Sequence, residues 1–179
     1  MSKTASASAS TSAAAAAASE PLLFPARIVI DTREQRPFAF ASIRADARQG
    51  RRPVQVETIR RALAAGDYSI DGHESTIAVE RKSVADLFGT LGKGRERFVR
   101  ELDRLATYAV AAVVVEGEWS DVLLAPPDRS QLNPKTIYRS VIAWQQRYPR
   151  IHWWMVPGRA VAETTTFRIL ERFVKDRYR

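Results

Sequence analysis

"AVERKSVADL", residues 78–87, begins as an apolar strand and then carries three charges in succession, Glu80, Arg81 and Lys82. Side chains alternate across a strand, so Glu80 and Lys82 share one face while Arg81 points to the other. From Val84 the period changes, because Val84, Leu87, Phe88 and Leu91 recur at helical spacing. The stretch therefore reads as a strand that delivers an acid and a lysine to one face just before a helix starts.

Upstream, "DYSI" (67–70) and "TIAVERK" (76–82) read as two arms of a hairpin around "DGHEST". If the loop spans Asp71 to Thr76, Asp67 lies opposite Glu80, with Cβ atoms about 4.5–5.5 Å apart. Two carboxylates that close repel unless a cation sits between them. Hard oxygen ligands beside a lysine suit Mg²⁺. A tight Asp71-Gly72 turn would instead pair Asp67 with Thr76 and leave Glu80 four residues away along the sheet. Both registers are open on sequence alone. So are the plainer readings, in which Gly66-Asp67 is an ordinary turn and Glu80-Arg81-Lys82 a solvated strand end.

Outward from the hairpin, "ARIVID" (26–31) and "VQVETI" (54–59) read as strands, "QRPFAFASI" as a loop or edge and "DARQGRRP" (46–53) as a basic loop. A Gly-Lys-Gly break separates the first helix from a second, in which Phe98, Leu102, Leu105 and Tyr108 fall at helical spacing. The glycine spacing in "GTLGKGR" is wrong for a nucleotide phosphate loop, and no Ser or Thr follows Lys93, so it is read as a basic turn. "VAAVVVEG" (110–117) is a buried strand. Asn133 followed by Pro134 opens a helix, and "RIHWWMV" reads as a strand apolar on both faces. Phe167, Leu170, Val174 and Tyr178 form a stripe on a last helix, widened by Ile169 and Phe173. Strands alternating with helices predict an α/β layer structure with a central mixed sheet. His73 and His152 lack metal-ligand spacing, and Trp153-Trp154 is read as core.

The chain has 179 residues, 45% of them hydrophobic, enough for one domain with a sizeable core. The absence of cysteine excludes disulfides, zinc-thiolate sites and cysteine nucleophiles. A net charge of +8 favours a polyanionic partner, nucleic acid first. No apolar run has the length a membrane span needs. Residues 1–20 are almost entirely Ser, Ala and Thr and are expected to form a disordered tail, with the folded domain at 21–179.

Several of these pieces together resemble one family. "VIDTREQRPF", then "GDY", then "VERKSVADL" is similar to the nuclease domain of XPF-type structure-specific endonucleases. That family carries an acid-x-Arg-Glu stretch, then Gly-Asp, a variable gap, Glu-Arg-Lys, three residues and Asp. The matching positions are Asp31, Arg33, Glu34, Gly66, Asp67, Glu80, Arg81, Lys82 and Asp86. The match covers Ile28 to Gly117 well and the rest loosely. It implies a restriction-endonuclease-like fold and Mg²⁺- or Mn²⁺-dependent cleavage of branched, flap or junction DNA in repair or recombination. Asp67 and Glu80 would hold the metal, with Asp31 completing the acidic cluster. Lys82 would position water or stabilise developing charge, and Glu34 would hold Arg33 or Arg81 or reach the metal through water. Asp86 suits a helix cap as well as catalysis.

Arg44, Arg48, Arg51 and Arg52 have few acidic neighbours and are expected to touch DNA phosphates, with Arg33, Lys93 and Arg95. Arg95, Arg97, Arg100 and Arg104 stand among acids on a helix, where part of the charge is expected in intrahelical pairs. The chain shows no helicase motifs and no tandem helix-hairpin-helix module. It looks like the standalone bacterial or phage forms, with an expected cytoplasmic, nucleoid-associated location. A homodimer or heterodimer through Asn133 to Arg179 is expected. Two rivals are a catalytically inactive DNA-binding scaffold and a sequence-specific restriction enzyme. A scaffold has no need to keep Asp31, Asp67, Glu80 and Lys82 together.

Overall fold

The computed structural model describes residues 20–128 and 130–177. The expected tail at 1–19, and Tyr178 of the last stripe, lie outside the described residues. Six strands form one sheet: β1 (Leu22–Ile30), β2 (Val54–Arg60), β3 (Tyr68–Ile70), β4 (Ile77–Ser83), β5 (Val110–Glu116) and β6 (Ile151–Val156). Their order is β2-β1-β3-β4-β5-β6. The pairs β1–β2, β4–β5 and β5–β6 are parallel, and β3 runs antiparallel to both its neighbours. The predicted mixed α/β sheet is therefore the fold.

Five helices flank it: α1 (Val84–Leu91), α2 (Arg95–Leu105), α3 (Trp119–Leu124), α4 (Pro134–Arg147) and α5 (Gly158–Arg177). Two apolar layers result. On one face α5 packs Phe167, Leu170 and Val174 over Ile28, Ile77, Val79 and Val114. On the other, Leu87, Leu102, Ile137 and Trp144 of α1, α2 and α4 cover Ala78, Ala111, Val113 and Val115. Odd residues of β4 thus face α5 and even residues face α1 and α2, the period-2 rule for a strand buried on both sides. At roughly 25 cal/mol per Å² of apolar surface, each large core side chain contributes about 1.5–3 kcal/mol.

Two local readings hold in detail, and the last helix finds its place. Asn133 caps α4, accepting the Lys135 N–H at 2.9 Å. Asp86 is a cap: its Oδ2 accepts from the backbone N–H and the hydroxyl of Ser83, while the Ser83 Oγ accepts the Asp86 N–H. The apolar stripe on α5 closes the domain's own core through Phe167, Leu170, Phe173 and Val174. Of the two readings of 35–43 the loop is found, and it is a buried one, because Phe38 and Phe40 pack on Tyr68. One reading needs correction. Trp153 stacks on Trp144, but Trp154 is not core and stands 46% exposed.

Candidate active site

The hairpin register settles the first question. Tyr68 pairs with Val79, the register of the wide loop, which brings Asp67 level with Glu80. Gly66 makes this approach possible. Its φ is +74°, and a Cβ there would meet the Ala78 Cβ at 3.1 Å and the Val79 carbonyl oxygen at 3.2 Å. Only glycine occupies such a position without strain. The Asp67 N–H then donates to the Val79 carbonyl at 2.9 Å, and its Oδ2 accepts the Arg81 N–H at 2.7 Å.

Glu80 and Lys82 lie on the α2 side of β4, as alternation requires. The Lys82 Nζ donates to the Glu80 Oε1 at 2.9 Å and sits 4.2 Å from the centre of the Phe98 ring. Burial, and then the charge of Glu80, push the Asp67 carboxyl up to about 8. The Glu80 carboxyl is also raised, by burial foremost, against the pull of Lys82. A cation placed between two such carboxyls would favour their ionised forms. Among the described residues no group of three or more His, Asp or Glu gathers at metal-ligand spacing. Asp67 and Glu80 stand level with each other, and one or two carboxylates is the number Mg²⁺ takes when waters and phosphate oxygens fill its remaining positions. The residues fit that ion.

Asp31 is placed differently from expectation. Both its oxygens are taken, by Arg33 Nε at 2.8 Å, Arg33 Nη2 at 2.9 Å, and the N–H groups of Arg33 and Leu63 at 2.7 Å each. Burial pushes its carboxyl up, but these bonds outweigh burial and hold it below its usual value. It meets Asp67 through the backbone, the Asp31 N–H donating to the Asp67 carbonyl at 2.8 Å. The physical reason is local: Arg33, two residues on at the strand end, folds back over it.

Arg81 points to the opposite face, into a buried ionic network. Its guanidinium makes a two-pronged bond to Glu116 at 2.7 and 2.8 Å and lies 3.5 Å from Glu34 Oε2. Arg159, at the start of α5, joins Glu116 at 3.0 Å and the carbonyls of Arg36 and Pro37. The Glu34 Oε1 accepts the Arg36 N–H. Glu34 and Arg81 thus brace the loop after β1, and the Glu34 charge also adds to the upward push on the Asp67 and Glu80 carboxyls.

Glu101 of α2 was missed in the sequence. Its Oε1 accepts the Gly66 N–H at 2.8 Å, its Oε2 pairs with Arg104, and it raises the Glu80 carboxyl further. The spacing of Glu101 and Arg104 signals only a surface ion pair. Asp67, Glu80, Lys82, Glu101 and Arg33 line one recess of about 490 Å³. A larger recess of about 730 Å³ lies between α5 and the β5–β6 end of the sheet, away from these acids.

The basic residues divide in space. Arg33 and Arg97 stand at the acidic recess, and Lys93 lines an adjoining one. Arg95 is turned away, bonded to Ser140 and lying over Trp144. Arg44, Arg48, Arg51 and Arg52 belong to the segment leading into β2, where Leu22 N–H meets the Pro53 carbonyl. β1 runs nine residues from there to Asp31, roughly 30 Å. These four arginines therefore do not converge on the acids.

A protein-family model described as the ERCC4 domain matches residues 30–167. The chain belongs to the ERCC4 domain family. The ERCC4 domain seen here is also similar to XPF from Aeropyrum pernix, with 26% identity and a TM-score of 0.56 over 83% of this chain. A second structure, XPF from Aeropyrum pernix in complex with DNA, matches with 25% identity and a TM-score of 0.56 over 84% of this chain. The chain spans 61% and 66% of those two proteins. No curated protein sequence matches it. The XPF-type resemblance read from the motif residues holds in both family and fold. Among the described residues no helix is long and apolar enough to cross a membrane.

Proposed function

We propose that residues 21–179 form a metal-dependent endodeoxyribonuclease that cuts one strand of branched, flap or junction DNA. The observation that carries this reading is the half-buried Asp67–Glu80 pair, whose raised carboxyls line the acidic recess with Lys82 bound to Glu80. The Aeropyrum pernix protein solved with DNA supports nucleic acid as the partner.

In this reading Asp67 and Glu80 hold a Mg²⁺ or Mn²⁺ ion, together with the backbone carbonyl of Arg81. When bound, the ion polarises the scissile phosphate and lowers the pKa of water. Lys82 uses one N–H to orient Glu80 and has two more for a phosphate oxygen as negative charge grows there. Water attacks phosphorus and gives up a proton to solvent, the bond to the leaving oxygen breaks, and that oxygen takes up a proton from solvent. Gly66 sets the position of Asp67, and Glu101 fixes Gly66 from α2. Arg81, Glu34 and Glu116 hold the strand and loop rigid from the far face. Asp31 holds Arg33 at the rim, where its largely exposed guanidinium is placed to meet a phosphate.

Pairing with a second copy through the region 133–179 is part of the same proposal. Its support is the apolar recess between α5 and β6, beside the exposed Trp154. The deciding experiment incubates the protein with labelled flap, fork, splayed-arm and linear DNAs, with and without Mg²⁺. Metal-dependent cuts near branch points are expected. Uncut DNA in every case would leave the scaffold reading in its place.

A further inference from the structure

The Gly-Lys-Gly turn between α1 and α2 has the wrong spacing for a nucleotide loop, yet the structure surrounds it with phosphate chemistry. A recess of about 530 Å³ opens there, bordered by Lys82, Thr90, Lys93, Gly94 and Arg97. Lys82, Thr90, Gly94 and Arg97 also line the acidic recess, so the two form one trough. Lys93 and Arg97 are exposed, and neither has an ion-pair or hydrogen-bond partner among the described residues. Their neighbours differ: Arg95 is bonded to Ser140, and Arg104 to Glu101. Thr90 is 8% exposed, and its hydroxyl has no partner among the described residues. The start of α2 opens on the same recess, since Gly94 offers no side-chain cap to its first N–H groups. Such free N–H groups favour an anion. The one acid at this recess, Asp86, has an oxygen engaged by the Ser83 backbone and hydroxyl.

We propose that Lys93, Arg97, Thr90 and the start of α2 form a phosphate subsite that holds the cut DNA strand at a backbone phosphate neighbouring the one hydrolysed. This deepens the nuclease reading and rests on it for the identity of the strand. Two cations without partners, a threonine hydroxyl open to the recess and free helix N–H groups bind a phosphodiester without reading a base. The subsite would set the direction in which the strand crosses the acids, with Lys82 as the group common to both halves of the trough.

The test measures binding of a labelled single-stranded thymidine oligonucleotide by anisotropy in EDTA, across a series of salt concentrations. The full chain is compared with the double variant Lys93→Ala/Arg97→Ala. Loss of two phosphate contacts should flatten the slope of log K against log salt by about 1.4. The affinity gap between the two proteins should then shrink about 7-fold as salt rises from roughly 50 to 200 mM. Lys93→Arg/Arg97→Lys should restore the slope, and a charge-matched control on α5, Arg172→Ala/Lys175→Ala, should leave it unchanged. An unchanged slope in the first variant, or an equal loss in the control, overturns the subsite. Cleavage separates the two readings. A slope that falls in a protein that cuts no DNA keeps the subsite and removes the nuclease. DNA cut by the double variant with unchanged KM keeps the nuclease and removes the subsite. On cleavable DNA, an uncharged methylphosphonate beside the cut position should weaken binding to the wild type and not to the variant. Equal weakening of both would also overturn the proposal.

Discussion

Asp67→Asn separates what the acidic pair does for the reaction from what it costs the fold. The Asp67 carboxyl titrates at about 8 in the folded protein, against 3.8 for an ordinary aspartate. The folded state therefore holds a proton that the unfolded state has released. Stability from such a group is fully present below the unfolded value and is lost as pH rises through the folded one. The whole interval corresponds to about 6 kcal/mol, and solvent entering the recess screens part of it, leaving on the order of 2–3 kcal/mol. Asparagine removes the charge and keeps an acceptor for the Arg81 N–H. In EDTA at about pH 8.5 the variant should melt roughly 5–10 °C above wild type, with the difference fading towards pH 4. Mg²⁺ should then raise the Tm of wild type and not of the variant, because only the wild type gains a ligand. The assay is a thermal melt across pH, with and without metal, beside cleavage, which the variant should lose. A variant that melts below wild type at high pH, or that gains equally from Mg²⁺, would refute the reasoning.

Gly66→Ala should cost about 1–2 kcal/mol for its left-handed backbone and displace Asp67 as well. Its kcat should fall further than the loss of folded protein explains, and a kcat equal to wild type would show that Asp67 tolerates displacement. Glu116→Ala leaves the Arg81 guanidinium buried without its two-pronged partner, so stability should fall by about 3–5 kcal/mol in a denaturant titration. A change below about 1 kcal/mol would mean that Glu34 alone holds Arg81. Sedimentation equilibrium should find dimers at micromolar concentration, and Trp154→Glu, placed beside the open recess on β6, should shift them to monomer. A wild-type monomer fully active on branched DNA would remove pairing from the proposal.

The sheet and most helices were legible because their periods differ: two along β4, and 3.6 from Val84 onward. The same alternation placed Glu80 and Lys82 together and Arg81 apart. The hairpin register was not decidable, since Asp71-Gly72 is a good tight-turn signal. The observed turn runs through His73, whose N–H donates to the Ile70 carbonyl and whose carbonyl accepts from Thr76 and Ile77. The six residues of α3 are too few to show a period. Other misses concern distance through space. Nothing in "DARQGRRP" says that β1 carries it a full strand length from the acids. Phe38 and Phe40 follow a proline and read as loop, yet the Tyr68 hydroxyl oxygen accepts the Phe38 N–H and pins that loop into the core. Glu101 enters the site only because α2 crosses over the Gly66 turn.

The wide loop of the β3–β4 hairpin also explains which parts of the motif tolerate a change in length. The connection Asp71 to Thr76 lies at the end of the hairpin remote from the acids, and the Tyr68–Val79 pairing is made after it closes. Residues added there lengthen a surface loop, at about 0.6 kcal/mol for each doubling. One residue added between Val79 and Glu80 would do something else. It would turn Lys82 toward α5 and Glu116, and bring Arg81 out beside Asp67, exchanging the lysine of the trough for an arginine torn from its network. A spacing free to drift between Gly-Asp and Glu-Arg-Lys, and rigid within Glu-Arg-Lys, is what a β-hairpin imposes on any sequence that builds a site at its open end.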